Sequence, residues 1–559
     1  MLGFVSSAAL LLAIAPALAS SSASRPNIVH ILIDDFGWNQ VGYHNDPSFL
    51  EVSTPNIDSL KNEGIELDRF YVHKICSPSR TSIQSGRSPI HVNVQNVHPE
   101  VVNEEDPLGG FQGMALNMTS VGDVLKDAGY KTSFVGKWDV GMATRAHTPH
   151  ERGYDEFLGY YHHSNDYWQQ TEQKCSLKKI KDLWIYNETF DGPAVHLAND
   201  PACGQDNQEL EKGKRCQYEE EILLGAVLDK LDEQAAAEDE DPLFMFYSTH
   251  LTHMPLQVPQ EYIDKFGDIT NEYRQSMRAM SYYVDMEVGA VVDKLKSTGL
   301  WDNTLLVLHS DNGGEIMTQF CGSNNHPLRG GKFSNFDGGI RVNALVSGGF
   351  VPSSRRGVKE ERLVAGEDWL RTYASVAGVG DRWTTDSRAV EAGLPDFDSV
   401  DQWPMLSGES AADATARSEV WIGDTTSIEF NGDGDTLVGG LLRDDGWKVV
   451  LGAENKMYKI CQDVTTPAEY PDGKFTPRVP ELKCRKCGRT PEDGCLFNVR
   501  DDEAEENNMA EEQADIFDEM IARIDELQES VYSPTRGKTD KRACKAAKND
   551  YGGYWGPFL

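Results

Sequence analysis

Residues 27–35 read "NIVHILIDD". The run is β-branched and almost continuously apolar, as a strand buried on both faces would be, and it stops on two adjacent carboxylates, Asp34 and Asp35. Three further stretches share the design. "KTSFVG" (131–136) runs into Lys137-Trp138-Asp139, "LFMFYSTH" (243–250) into Leu251-Thr252-His253, and "TLLVLH" (304–309) into Ser310-Asp311-Asn312-Gly313-Gly314. Helical stretches lie between them. Thr54-Pro55 opens one at 57–62, Ser120 caps another at 121–128 that Gly129 stops, and 219–236 and 273–296 carry apolar residues at helical spacing. Strands alternating with helices predict an α/β fold with a mostly parallel sheet covered on both faces. Ligands of such sheets bind beyond the carboxyl ends of the strands. Asp34, Asp35, Lys137, His253, Asp311 and Asn312 all follow strands, so the pattern places them on one edge.

Outward from this frame, 559 residues allow two to four domains. Charged residues at 25% and hydrophobic residues at 39% read as globular and soluble. The texture changes after about residue 415. "LVGGLLRDDGWKVVLG" (437–452) reads as an antiparallel hairpin turning at Asp444-Asp445-Gly446, the Gly/Asp-rich 424–435 as a loop, and 514–531 as an amphipathic helix. The expected organisation is a leader at 1–19, a main domain at 26–415 and a smaller C-terminal domain at 416–559. The leader reading rests on the apolar run 9–18 ending in the small-residue site Ala17-Leu18-Ala19; Pro16 interrupts the run too early for a membrane anchor. Secretory entry makes the sequons at Asn117 and Asn187 candidate glycan sites, and it permits disulfides. Cys484, Cys487 and Cys495 then read as a disulfide-tied loop rather than a zinc site. The net charge of −36 argues against nucleic acid or an anionic membrane as partner, and the acidic run 501–515 reads as solvated surface.

Asp34-Asp35 and Asp311-Asn312 offer oxygen donors only, which suits a hard divalent cation, Ca²⁺ or Mg²⁺, and not zinc. Arg80, Lys137 and Lys332 are fixed charges of the kind that grip a tetrahedral oxyanion, although surface ion pairing is the ordinary fate of such residues. His253 titrates in a useful range, or is structural. Cys76, in "KICSPSRTSIQSGR" (74–87), reads as half a disulfide, a nucleophile or a precursor of something else. The residues themselves reach a secreted metal-dependent hydrolase of phosphate or sulfate esters and do not choose the ester.

Cys76-Ser-Pro-Ser-Arg80, continuing through Ile83, Ser85, Gly86 and Arg87, resembles the signature C-x-P-S-R-x-x-L-x-T-G-R of formylglycine-dependent (type I) sulfatases, with Ile83 and Ser85 as conservative replacements. "ILIDDFGW", "GKWDVG", "THLTHMPLQVP", "SDNGG" and "NNHPLRGGKFSNFDGGIR" resemble further family segments and occur in the family's order. The two longest are most similar to the arylsulfatase B (N-acetylgalactosamine-4-sulfatase) branch. Fainter likeness returns in "GWKVVLG", "LFNVRDDEAEENNMA" and the tail "YWGPFL". The resemblance implies an alkaline-phosphatase-like fold, a mostly parallel sheet flanked by helices with a smaller C-terminal α+β domain. It implies that a formylglycine-generating enzyme oxidises Cys76 to an aldehyde during secretion. The hydrate of that aldehyde would attack sulfur, and its second hydroxyl would expel sulfate. By the same resemblance Asp34, Asp35, Asp311 and Asn312, with modified Cys76, would bind one cation, calcium rather than magnesium. Arg80 would stabilise the hydrate, Lys137 would bridge it and the sulfate, and His253 and Lys332 would hold sulfate oxygens. The implied substrate is a sulfated carbohydrate or aryl sulfate, and the implied compartment is the exterior, lysosome or vacuole.

Asp139 breaks the pattern. The family reads Gly-Lys-Trp-His, and that His is thought to take the proton in the elimination step. Asp139 serves as an altered base, or the protein is a lectin-like binder of sulfated glycans with an unproductive pocket. A zinc-dependent phosphatase of the same superfold is opposed by the oxygen-only donors and by C-x-P-S-R.

Overall fold

The computed structural model describes residues 25–45, 53–94, 98–172, 179–210, 214–239, 241–269, 271–316, 322–411, 417–423, 439–452 and 487–559. The leader expected at 1–19, the loop expected at 424–435 and Cys484 lie outside these residues.

Ten strands form the main sheet: β1 (Asn27–Ile33), β2 (Ile65–Leu67), β3 (Lys131–Lys137), β4 (Glu156–Tyr160), β5 (Trp184–Tyr186), β6 (Asp191–Pro193), β7 (Leu243–Ser248), β8 (Thr304–Ser310), β9 (Ala344–Ser347) and β10 (Val358–Glu360). Their spatial order is β6-β5-β4-β3-β7-β1-β8-β9-β2-β10. The five central strands, β4 to β8 in that order, are mutually parallel. The expected parallel sheet is thus the centre of a mixed one, since β5, β6 and β9 pair antiparallel. The flanking strands are three or four residues long, which left no periodicity to read.

The side-chain alternation of β1 shows why the centre is parallel and buried. Ile28 and Leu32 enter one core with Phe134, Phe244, Val307 and the helices α3 (Val121–Asp127) and α6 (Trp369–Val376). Val29, Ile31 and Ile33 enter the opposite core with Met245, Leu306 and the helices α4 (Glu219–Ala236) and α5 (Glu272–Ser297). Ser120 caps α3 as expected, its hydroxyl accepting from Asp123 N at 3.0 Å. One residue departs from the apolar reading of β1. His30 is fully buried, with Nε2 3.0 Å from His309 Nε2 and Nδ1 2.8 Å from the Tyr373 hydroxyl.

A second, four-stranded antiparallel sheet builds the smaller C-terminal domain from β11 (Glu419–Gly423), β12 (Gly439–Arg443), β13 (Trp447–Leu451) and β14 (Cys495–Asn498). The expected hairpin is β12–β13, turning through Gly446 at φ +97°. One face of this sheet (Leu441, Val449, Leu496) takes Phe517, Met520 and Ile524 of the amphipathic helix α7 (Ala514–Gln528). The other face (Leu442, Val450, Phe497) packs on Tyr71, Phe336 and Ile340 of the main body. Disulfides join Cys203 to Cys216 and Cys487 to Cys495. Cys487 and Cys495 therefore form a bridge, in line with the disulfide reading of that loop. Among the described residues, no helix is long and apolar enough to cross a membrane.

Candidate active site

Cys76 is the first residue of helix α2 (Cys76–Ser85), whose start lies against the carboxylates that follow β1 at the edge of the main sheet. Its thiol is buried, 3.4 Å from Asp34 Oδ1 and 3.7 Å from Asp35 Oδ1. Among the described residues it is the free cysteine, so the half-disulfide reading falls. Burial, and then Asp311, push its pKa well above the ordinary thiol value. A thiol so placed stays protonated, whereas a nucleophilic cysteine needs the opposite shift.

Arg80 lies one helical turn beyond Cys76 on the same face of α2. Its guanidinium holds Asp311 Oδ2 through Nε (2.9 Å) and Nη2 (2.8 Å), and reaches the Lys137 carbonyl (3.1 Å) and Ser248 Oγ (2.5 Å) through Nη1. One side chain thereby ties α2 to the ends of β3, β7 and β8. Lys137, the last residue of β3, donates to Asp34 Oδ2 at 2.7 Å. Lys332 comes from a loop and donates to Asp35 Oδ2 at 2.7 Å. His253 gives its Nδ1 hydrogen to the Met254 carbonyl (2.6 Å) and turns Nε2 toward Asp35 Oδ2 at 3.7 Å. Burial, with Lys332 close by, lowers its pKa to about 3, so the ring is neutral at physiological pH.

The carboxylates differ among themselves. Asp34 is raised well above the carboxylate range by burial and by Asp311, in spite of Lys137. Burial is the largest influence on Asp311 and Asp35 and would raise them as well, but Arg80, Lys137 and Lys332 together outweigh it at Asp311, and Lys332 with its cationic neighbours does so at Asp35, so both are held low. Asn312 donates from Nδ2 to Asp35 Oδ1 (2.7 Å) and to the Gly313 carbonyl (2.9 Å), which fixes the orientation of its amide. Its Oδ1 is left buried without a hydrogen-bond partner. A buried acceptor among three carboxylates, with oxygen as the shared donor atom, is what a hard divalent cation requires. Ligand atoms of Asp34, Asp35, Cys76 and His253 also lie within 4.8 Å of one another. The residues fit a metal ion.

Every residue expected at this edge is brought to it. Several neighbours escaped the sequence reading. Ser248 holds Arg80, and Ser77 donates to Asp139 Oδ2 at 2.9 Å. A second buried group, Glu219, Glu220 and His250, underpins the site. Glu220 accepts from the His250 amide (2.8 Å) and Thr249 Oγ1 (2.9 Å), while Glu219 sits 3.1 Å from His250 Nδ1. This fastens the 249–254 loop, whose Thr252 amide in turn donates to the Asp34 carbonyl at 2.5 Å. Paired acids at a helix start read as ordinary N-terminal charges, so no pattern flagged them.

Asp139 is fully buried at φ +54°, with its Oδ2 4.0 Å from Lys137 Nζ and its Oδ1 without a hydrogen-bond partner. Burial raises its pKa, against the pull of Lys137 and Arg80.

Residues 26–379 match the protein family described as Sulfatase. The chain belongs to the sulfatase family. It is 31% identical over 364 residues to arylsulfatase J of Mus musculus, covering 65% of this chain and 54% of that protein. It is 27% identical over 336 residues to the N-acetylgalactosamine-6-sulfatase of Homo sapiens, covering 59% and 58%. The chain thus spans little more than half the length of these curated relatives. Among solved structures, this sulfatase superposes on Ps i-CgsB in complex with k-i-k-neocarrahexaose with a TM-score of 0.68 at 22% identity, covering 94% of this chain and 97% of the other. At that identity the likeness speaks for the fold.

Proposed function

We propose that this sulfatase hydrolyses sulfate esters of sugars, using an aldehyde made from Cys76 by a formylglycine-generating enzyme in the secretory pathway. The observation that carries the reading is the setting of Cys76: a buried, protonated thiol facing Asp34 and Asp35, on the helix turn that also carries Arg80. Asp34, Asp35, Asp311 and Asn312 would hold one calcium ion, which supplies Lewis acidity for the nucleophile and the sulfate oxygens. Arg80 keeps α2 in register with Asp311 and faces the modified residue with a fixed positive charge. Lys137 pairs with Asp34 and Lys332 with Asp35, so a sulfate seated over Cys76 would meet an ammonium beside each of the two carboxylates. Neutral His253, its Nδ1 hydrogen held by Met254, presents a bare Nε2 that would take the proton given up by the attacking hydroxyl and pass it to the leaving alcohol. Asp139, buried and unpartnered at Oδ1, takes the proton released when sulfate is expelled.

The substrate proposed is a sulfated N-acetylgalactosamine. The arylsulfatase B likeness of the two longest motif segments and a relative named N-acetylgalactosamine-6-sulfatase share that sugar, and assays on the 4- and 6-sulfates decide the position. Asn187 is the better placed of the two sequons for a secreted chain. It sits on the turn between β5 and β6, whereas Thr119 of the other sequon is buried against Asp386.

Peptide mass measurement at residue 76 of the secreted protein, paired with aryl sulfatase activity, tests the proposal. Conversion of CH₂SH to CHO together with turnover is expected, and Cys76→Ala should abolish turnover. An active preparation that keeps the thiol, or an active C76A protein, overturns it.

A further inference from the structure

We propose that Lys448 of the C-terminal domain is a positioning residue for the catalytic edge, acting through a buried bridge to Asp337 and Glu505. The inference rests on the sulfatase reading for its activity and Ca²⁺ arms, and the hydrogen-exchange arm stands without it.

Lys448 stands on β13 with no exposure to solvent. Its Nζ lies 2.6 Å from Asp337 Oδ1 and 2.8 Å from Glu505 Oε1, both fully buried acids. Asp337 is doubly engaged besides. Its Oδ2 accepts from the Tyr71 hydroxyl at 3.0 Å, and its amide donates to Glu505 Oε2 at 2.7 Å. A lysine taken wholly out of water is tolerated only with such complete pairing, and loss of one partner leaves buried charge behind.

The bridge ends where the site begins. Asp337 opens the short helix Asp337–Ile340, and the Gly339 carbonyl accepts from the Gly313 amide at 3.0 Å. The approach there is so close that a Cβ on Gly313 would meet the Gly338 oxygen at 1.8 Å. Gly313 follows Asn312 directly, so the helix fixes the backbone of a proposed metal ligand. On its other side the same helix closes the loop that carries Lys332. The Gly338 amide donates to the Arg329 carbonyl (2.7 Å), the Lys332 amide to Gly314 (3.1 Å), and the Phe333 amide to Lys74 (2.8 Å), two residues before Cys76. Arg329 Nη1 returns to the Glu505 carbonyl at 2.7 Å. Neither Lys448 nor Glu505 belongs to the main sheet, yet together they hold the turn against which Asn312 and Lys332 are both registered. Groups bonded directly to a metal ligand move metal affinity or activity by about 10–100-fold when lost, and this bridge, which acts one step further out, is placed at the lower end.

The test compares Lys448→Met and the milder Glu505→Gln with Ile524→Ala, which weakens the same domain through the α7 core without touching the bridge. All are full-length chains, assayed well below their melting temperatures. The bridge variants should lose about tenfold in kcat with little change in KM, and bind Ca²⁺ about tenfold more weakly when titrated into the chelator-stripped protein. Ile524→Ala should keep wild-type kcat and Ca²⁺ affinity. Wild-type values in the bridge variants, or equal losses in Ile524→Ala, overturn the proposal. If Lys448→Met does not fold, Glu505→Gln carries the comparison. If the wild type itself hydrolyses no sulfate ester, the sulfatase reading fails separately. Hydrogen exchange then judges the bridge: amides of Gly313 and Lys332 should exchange faster in Glu505→Gln than in Ile524→Ala, and equal rates overturn it.

Discussion

Asp139→Asn is expected to halt the catalytic cycle after the alcohol has left and before sulfate does. The substitution is nearly isosteric, and its amide oxygen can accept the Ser77 hydroxyl now held at 2.9 Å, so the shape of the site survives. What disappears is a proton acceptor and one buried negative charge. A general base is worth about 10²–10⁴ in rate. At about 1.4 kcal/mol per tenfold, that is about 3–5 kcal/mol of barrier. Lys137, 4.0 Å away, opposes the burial of the carboxylate by about 4 kcal/mol at an effective dielectric of about 20. Burial still prevails, and the Asp139 pKa stands above the ordinary carboxylate value. The shift strengthens Asp139 as a base, which offsets part of what is lost when an imidazole is replaced. The base must be ionised to work, so the acid limb of kcat should lie above the ordinary Asp value of about 3.9 and be absent from the residual rate of the Asn variant. Rapid-mixing kinetics with an aryl sulfate provide the assay. The variant should release about one phenol per converted site in a burst and then turn over about 10²–10⁴ times more slowly than wild type. Wild-type turnover after the burst would refute the role of Asp139. A wild-type protein with Cys76 converted that shows neither a burst nor steady turnover would instead favour the sulfated-glycan-binding alternative.

Three further outcomes follow from the same geometry. Stripping the protein with a chelator should abolish turnover and lower the melting temperature, with Ca²⁺ restoring both, because Asp34, Asp35, Asp311 and Asn312 Oδ1 are then left to compete for Lys137, Arg80 and Lys332; full activity in a preparation shown to be free of metal would refute the assignment. Tyr373→Phe should cost about 1–3 kcal/mol in denaturant unfolding with activity retained, since it strands His30 Nδ1 as a buried acceptor; an unchanged midpoint would remove the Tyr373–His30–His309 chain from the stability account. With a net charge of −36, kcat/KM for a sulfated polysaccharide should rise as salt is raised from about 10 to 150 mM, and more steeply than for a small aryl sulfate; a falling curve would show that local cations, not the whole-protein field, govern encounter.

The part of this molecule that announces itself in sequence is the part where one physical demand fixes consecutive residues. A strand buried on both faces must be apolar throughout, so β1, β7 and β8 were legible, and so were the carboxylates and His253 that follow them. Arg80 and Lys332 sit on a helix and in a loop, where no periodicity singles out a cation; they became candidates through charge type and the family resemblance. His30 and His309 lie inside strands that read as apolar, and they are tolerated because Tyr373, Trp369 and the Ser310 carbonyl satisfy their ring nitrogens. Lys448 was hidden for a related reason. A lysine in a hairpin reads as the solvent-facing member of an alternation, and its two acids come from positions 111 and 57 residues further along the chain in opposite directions. Ser77 and Ser248 carry no signal of their own, since a hydroxyl next to a reactive residue is too common to weigh.

The extra acid at 139 makes sense once the buried charges are considered together. Asp34, Asp35, Asp311 and Asp139 face Arg80, Lys137 and Lys332, so the fully ionised set carries one net negative charge. With a divalent cation in place the balance is one net positive charge, and a sulfate monoester cancels it. A neutral histidine at 139 would leave the same set one charge more positive, matched to the dianion of free sulfate. With the proposed cation and substrate, Asp139 would therefore shift the electrostatic preference of the pocket from product toward substrate. On this argument Asp139→His should be inhibited more tightly by inorganic sulfate than the native protein, even where its turnover is as fast. On the proposed mechanism the residue that departs from the family pattern would serve both halves of the cycle: its basicity would help drive sulfate off, and once it has lost that proton its charge would oppose the return of sulfate.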